Sequence, residues 1–275
     1  MFLSALVVPV DRFEGGLESS HTDSVAVEEP LEIRLNGAPL SVTMRTPGDD
    51  VDLAIGFLVT EGIILGTEQI VSIRRGEANP AMRRSGNVID VQLHPGADLD
   101  LSRLARNFHA TSSCGICGKA AIESVLADVP SHFRASDSTP MFHASVIHGL
   151  PPALRQAQAI FDRTGGLHAA ALFDTCGNIL ALREDVGRHN AVDKLIGYAA
   201  SAAGRLSVSN CLMFVSGRAG FELVQKAAMA RIPVLAAVGA PSSLAVEAAL
   251  RFGMTLLGFV RGNRFNSYSN SWRIQ

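Results

Sequence analysis

The sequence predicts an α/β protein in two parts: a second half with a three-layer arrangement, a mixed sheet between helices, and a smaller β-rich α+β first half. Three observations carry this. From about residue 190 onward, helical and strand patterns alternate. The strand candidates there are short, continuous apolar runs, as expected where both faces of a sheet are covered. The first half instead alternates apolar and polar residues around turn signals. Composition agrees, since hydrophobic residues make up 47% and charged residues 18% of the 275 positions. That is a globular balance, and the length exceeds one modal domain.

Taken in order, residues 1–24 predict a flexible arm, with Glu14-Gly15-Gly16 and Ser19-Ser20 as its loosest points. The apolar opening from Met1 to Pro9 has no basic lead and no small-residue cleavage site, so a secretory signal is not expected. A first domain is expected over residues 25–135. In it, Leu31, Ile33 and Leu35 alternate, Asn36-Gly37 supplies a turn, and Leu40, Val42 and Met44 alternate again, which predicts a hairpin. Asp49 or Asp50 then caps a helix ending at Gly62, and strands follow at 70–73 and 88–93. Val129-Pro130 and the polar run Ser136-Asp137-Ser138-Thr139-Pro140 place a boundary near residue 135, so the second domain covers 136–275. It opens with a helix over 150–161 that carries Pro151 and Pro152 in its first turn. Strands at 168–173 and 179–182 follow, joined by a turn at Cys176-Gly177-Asn178. Helices at 190–198, 221–230 and 243–252 then alternate with strands at 211–215, 234–238 and 255–260.

Two of the four cysteines stand in Thr111-Ser112-Ser113-Cys114-Gly115-Ile116-Cys117-Gly118-Lys119, just ahead of a helical pattern marked by Ile122, Val125 and Leu126. A helix N-terminus and Lys119 both favour an anion, so these thiols should ionise more readily than an ordinary cysteine. Thiol chemistry, metal binding and a local disulfide are the three readings of such a pair. A structural zinc site usually needs four ligands, and no second C-x-x-C or spaced histidine pair occurs. Cys176 and Cys211 stand alone, in a turn and in an apolar run, and read as structural. So few cysteines point to a reducing compartment, and the expected location is the cytoplasm.

Each strand of the alternating region ends in small, polar or basic residues: Ser216-Gly217-Arg218, then Gly239-Ala240-Pro241-Ser242-Ser243, then Arg261-Gly262-Asn263-Arg264. In open α/β sheets ligands bind at the carboxyl ends of the strands, where helix N-termini offer N–H donors to phosphates. The charged segment Asp185-Val186-Gly187-Arg188-His189 opens another helix beside them. His189 reads as functional, while His168, at the start of a buried strand, reads equally well as a core histidine. No G-x-x-x-x-G-K-[ST] or G-x-G-x-x-G occurs, which excludes a Walker nucleotidase and a standard dinucleotide fold. A formal net charge of −2 with dispersed arginines argues against a nucleic-acid or anionic-membrane binder, and the long apolar stretch 232–246 is broken by Pro233 and Pro241. The apolar fraction makes a homodimer the expected assembly.

Several blocks read together carry a resemblance: Thr111 to Lys119, His-Ala-Ala-Ala-Leu at 168–172, and Glu-Asp-Val-Gly-Arg-His-Asn-Ala-Val-Asp-Lys-Leu at 184–195. Val-Gln-Lys-Ala-Ala-Met at 224–229, Ala-Pro-Ser-Ser-Leu-Ala-Val at 240–246 and Gly-Phe-Val-Arg-Gly at 258–262 extend it. From about residue 25 to its end the chain resembles the formate dehydrogenase accessory sulfurtransferases, the FdhD family. The resemblance implies a sulfurtransferase that takes persulfide sulfur from a cysteine desulfurase and passes it to the molybdenum or tungsten bis(guanine dinucleotide) cofactor, the bound substrate, for formate dehydrogenase. It implies Cys114 as the persulfide carrier and Cys117 as its partner, which either releases sulfide and leaves a disulfide or relays the sulfur. It implies cofactor binding by Phe259, Val260, Arg261, Gly262, Asn263 and Arg264, and the strand-end reading adds Ser216, Gly217, Arg218, Ser242, Ser243, Asp185, Arg188 and His189 beside them on the rim. It also implies a second domain similar to the cytidine deaminase fold. Zinc deaminases need H-x-E and P-C-x-x-C, and here Ala169 and Ala170 follow His168 while Ser113 precedes Cys114. No metal ligand set is therefore expected, and the rival classes are a non-catalytic cofactor chaperone and a zinc hydrolase.

Overall fold

A computed structural model describes residues 4–76, 87–96, 140–201, 204 and 206–275. The expected boundary near residue 135 lies outside these residues.

The chain opens on a hairpin, β1 (Ala5–Glu14) and β2 (Leu17–Ala26), paired from Ala5–Ala26 to Glu14–Leu17. This corrects the flexible arm. Gly15 and Gly16 have φ of 60° and 83°, the left-handed pair that a two-residue hairpin turn requires. Strand β2 is mostly polar and the apolar β1 buries only Ala5, so neither shows an inner face to read, and Leu6, Val7, Phe13 and Leu17 remain exposed.

A four-stranded sheet follows, ordered β4 (Ala38–Arg45), β3 (Glu29–Leu35), β6 (Val88–Leu93) and β5 (Ile70–Gly76). Leu31, Ile33, Ile89 and Val91 pack under Leu53 and Leu58 of α1 (Asp50–Thr60). On β4 the expected alternation flips. Ile33 pairs with Ser41 and Arg34 with Pro39, so Leu40 is the extra residue of a bulge. Leu40 turns inward at 3% exposure, while Val42 and Met44 face out at 62% and 48%.

The larger sheet is ordered β12 (Arg264–Ser269), β11 (Thr255–Arg261), β10 (Val234–Ala237), β9 (Leu212–Val215), β7 (His168–Phe173) and β8 (Ile179–Asp185). Strands β9, β10 and β11 are parallel, and β7 and β12 run against them, so the sheet is mixed. Along β7, Ala170 and Leu172 face one layer and Ala169, Ala171 and Phe173 the other. Helices α4 (Arg188–Ala200), α5 (Phe221–Met229) and α6 (Ser243–Phe252) cover the first face. Helix α2 (Ala144–Ala157) covers the second through Ile147, Leu150 and Leu154, and short α3 (Ala159–Thr164) follows it.

Helix α2 begins six residues before the expected start, with Pro151 and Pro152 in its interior. Its entry is fixed from the other end of the chain: Phe142 and Ala144 donate to the carbonyls of Arg273 and Gln275 at 2.8 and 2.7 Å. Packing of Ile147 and Leu150 then outweighs the proline signal. The polar edge strand β12, with only Ser269 of its residues buried, was not anticipated.

Helices α1 and α4 cross at two glycines. A side-chain carbon on Gly56 would overlap the Asp193 carbonyl, and one on Gly197 would overlap that of Asp52. This close approach joins the two units.

Candidate functional site

Strand direction gathers the expected rim. Because β8 to β11 share one direction apart from their antiparallel neighbours β7 and β12, the carboxyl ends of β8, β9, β10 and β11 lie at one edge with the starts of β7 and β12. His168 pairs with Asp185 across β7 and β8, and Arg261 pairs with Arg264 across β11 and β12. Backbone bonds lace the loops together. Gly239 donates to Gly217 and Phe259 to Gly239, both at 3.0 Å, and Ser242 donates to Ala219 at 3.1 Å. At Gly258 a side-chain carbon would come within 2.9 Å of Pro241 Cδ, so this lacing requires glycine.

Arg218, Arg261, Asn263 and Arg264 are exposed on this edge, and Gly262 turns between them with φ of 54°. The Arg261 guanidinium lies 5.6 Å from the Phe259 ring centre, and Phe259 holds a left-handed φ of 52°. Val260 differs from its neighbours: it is fully buried in the sheet core and presents nothing to a ligand. Ser216 accepts a 2.9 Å bond from the Ala169 amide, and Ser242 caps α6 by accepting from Ala245 at 3.2 Å. Both hydroxyl oxygens therefore already hold the edge together, while Ser243 is exposed. Gly217 lets the loop approach His168, whose Nδ1 would lie 3.3 Å from an added side-chain carbon.

The charged block at 184–195 divides. Glu184 caps α3, accepting from the amides of Ile160 and Phe161 at 3.0 and 2.8 Å. Asp185 is fully buried; it pairs with Lys194 at 2.7 Å and accepts from the amides of Thr46 and Gly187 at 3.0 and 2.8 Å. Lys194 donates onward to the Thr46 carbonyl at 2.7 Å, and Asn190 donates to the Met44 carbonyl, also at 2.7 Å. Asp193 accepts from Thr60 at 2.7 Å and pairs at 2.9 Å with Lys226, which also reaches Glu61 at 3.0 Å. Asp185 thus belongs to the joint between the units, not to the rim. Burial alone would push the Lys226 ammonium down, but the facing carboxylates of Asp193 and Glu61 outweigh it and its pKa is raised.

Arg188 and His189 remain at the edge. His189 Nε2 sits 2.6 Å from Glu222 Oε2, tying the starts of α4 and α5. Burial, then the charges of Arg188 and His189, hold the His168 imidazole below its usual pKa, which favours the neutral ring. Beside His168 and Ser216 a cleft of about 530 Å³ opens between the end of α2, α3 and the 165–167 loop. It was not anticipated, because its residues carry no sequence pattern.

Cys114 and Cys117 lie outside the described residues, as does the expected helix after them. Cys211 is buried, its thiol pushed up to about 11 by burial and then by Asp174, while Cys176 is exposed. Among the described residues no group of three or more His, Cys, Asp or Glu could hold a metal ion, and no helix is long and apolar enough to cross a membrane.

A mixed sheet between helices, a second, four-stranded unit packed on it and charged loops at one sheet edge together define a two-part α/β protein. The chain belongs to the FdhD/NarQ family, which residues 26–275 match. It is 50% identical over 267 residues to the sulfur carrier protein FdhD of Streptomyces avermitilis, covering 96% of this chain and 94% of that one. The protein of the same name from Mycobacterium tuberculosis is 49% identical over 256 residues, covering 92% of each. A crystal structure from Desulfotalea psychrophila, described as a candidate formate dehydrogenase accessory protein, shares the fold with a TM-score of 0.76 at 24% identity, over 99% of this chain and 100% of that one.

Proposed function

We propose that the chain is a sulfurtransferase that carries persulfide sulfur from a cysteine desulfurase to a bis(guanine dinucleotide) molybdenum or tungsten cofactor destined for formate dehydrogenase. The observation that carries this reading is the gathering of Arg218, Arg261, Arg264 and His168 at one sheet edge in a chain that also holds the C-x-x-C pair. The sulfur-carrier names of close relatives support it. Its second unit would then be kin to the cytidine deaminase fold without the deaminase chemistry, since Ala169 and Ala170 follow His168.

In this reading the Cys114 thiolate attacks the terminal sulfur of the donor's persulfide, the donor cysteine leaves as a thiolate, and Cys114 holds the persulfide. Phosphates of the substrate lie along the edge, where exposed guanidinium groups and helix amides oppose their charge. A Cys114–Cys117 disulfide after turnover marks release of sulfide, and a persulfide on Cys117 marks a relay.

Incubation with a desulfurase and cysteine should add the mass of one sulfur atom to the intact chain, and Cys114→Ala should abolish both that gain and activation of formate dehydrogenase. Full activation by the variant would make the protein a non-catalytic cofactor chaperone. Stoichiometric zinc in the purified protein would make it a metal-dependent hydrolase.

A further inference from the structure

The β1–β2 hairpin is rooted in the body at one end only. Its first rung pairs Ala5 with Ala26, Ser4 accepts from the Val27 amide at 3.0 Å, and a side-chain carbon on Gly166 would lie 3.6 Å from Ala26 Cβ. Short α3 packs against both strands. Gly166 also lines the cleft beside His168 and Ser216, so the root of the hairpin adjoins the charged sheet edge. From there ten pairs run without a shift in register, and at about 3.3 Å per residue the turn stands about 30 Å from the root. Residues 11–23 are all exposed.

A two-stranded hairpin with water on both faces is marginal, and a third strand or a packed face usually holds one in place. Here the turn end carries apolar side chains: Phe13 is 72% exposed and Leu17 77%. Phe13 pairs with Glu18 and Leu17 with Glu14, on neighbouring rungs whose side chains point to opposite faces. An end that is apolar on both faces suits insertion between two walls better than rest on a flat surface. Around it, Asp11, Glu14, Glu18 and Asp23 stand against Arg12, and among the described residues none of these four carboxylates forms an ion pair. Like charge disfavours packing of the hairpin against that of a second copy. Pro9, which has no N–H, also interrupts the edge of β1 that a further strand would need.

Resting on the proposed function, we propose that this hairpin is the arm that docks the enzyme receiving the cofactor, its tip entering an apolar pocket ringed by basic side chains on that protein. Place and charge together favour the recipient. A protein that takes a ligand from the sheet edge must come up to His168 and Ser216, and the root of the hairpin stands beside them. Burial of Phe13 and Leu17 supplies the affinity, and the carboxylates steer the approach.

Binding of the full chain to formate dehydrogenase prepared without its cofactor, followed by biolayer interferometry, tests this. The natural chain should bind, and more weakly as salt rises. Phe13→Ser with Leu17→Ser should lower that affinity at least about tenfold and slow activation of the enzyme, with GDP binding and persulfide loading on Cys114 unchanged. Glu14→Lys with Glu18→Lys should lower affinity at low salt and lose most of the effect at high salt, and decides the matter if the serine variant fails to fold. Unchanged affinity in either folded variant overturns the proposal. So does loss of persulfide loading with dehydrogenase affinity intact, which makes the hairpin a contact for the sulfur donor. Conversion of a dimer to monomers with that affinity intact also overturns it, and makes the hairpin a contact between copies. Absence of binding by the natural chain overturns the proposal while persulfide loading stands or falls separately. Tip-dependent binding without any persulfide loading supports the docking arm and removes the sulfur-transfer reading instead.

Discussion

At the joint between the units, Asp185, Asn190, Asp193 and Lys194 are buried and every charge has an opposite partner or a backbone group within 3.1 Å. At the sheet edge, Arg218, Arg261 and Arg264 are exposed and have no carboxylate partner among the described residues. One stretch of chain supplies both regions, since Arg188 and His189 of the same block face the edge. The difference teaches that density of charge does not mark a site. Charge answered inside the chain builds the body, whereas charge left exposed on a rigid edge is what the proposed function assigns to a ligand.

Substitutions can break this contrast. The largest loss of stability is expected from Lys226→Met, which leaves Asp193 buried without its cation and should cost about 3–5 kcal/mol in urea unfolding. Adding Asp193→Leu should recover most of that, because a matched apolar pair carries no desolvation penalty. Gly56→Ala should cost about 1–3 kcal/mol, since the added carbon would force α1 and α4 apart at Asp193. Double Arg261→Ala and Arg264→Ala should leave stability within about 0.5 kcal/mol and weaken GDP binding, the reverse of the joint variants. If this pair destabilised the fold as Lys226→Met does, the division between the two regions would collapse.

A smaller effect sharpens the edge itself. His168 has a lowered pKa in the fold, chiefly through burial, so the unfolded chain takes up a proton that the folded chain resists. Its contribution is therefore complete above the unfolded value near 6.5 and is lost as pH falls below it. Unfolding at pH 7 and pH 5 should show a smaller acid loss in His168→Asn than in the natural chain.

Much of the fold could be read from the sequence, because β7, β9, β10 and β11 are apolar runs buried on both faces and β6 alternates over a single covered face. The runs at 88–93 and 168–173 match β6 and β7 to the residue, and the cap at Ser242 fixes the start of α6. Local pattern and structure part where tertiary context outweighs local chemistry. The β1–β2 hairpin has a clear glycine turn, but its apolar β1 is largely exposed and its β2 is polar, and the contacts of Phe142 with the far end of the chain extend α2 back ahead of its prolines. The bulge at Leu40 inverts a pattern that its composition alone supports. At the site, strand polarity was enough to gather the rim. Yet Asp185 and Arg188 look alike in sequence, and only burial separates clamp from contact.

Phe259 has a further consequence. A phenylalanine held at φ of 52° costs about 1–3 kcal/mol relative to the conformations it prefers, and glycine would occupy the same position with almost no penalty. Folding alone therefore favours glycine there. The chain keeps an aromatic ring at the mouth of the edge at the expense of its own ground state, a tension that pulls thermal robustness and whatever the ring touches in opposite directions.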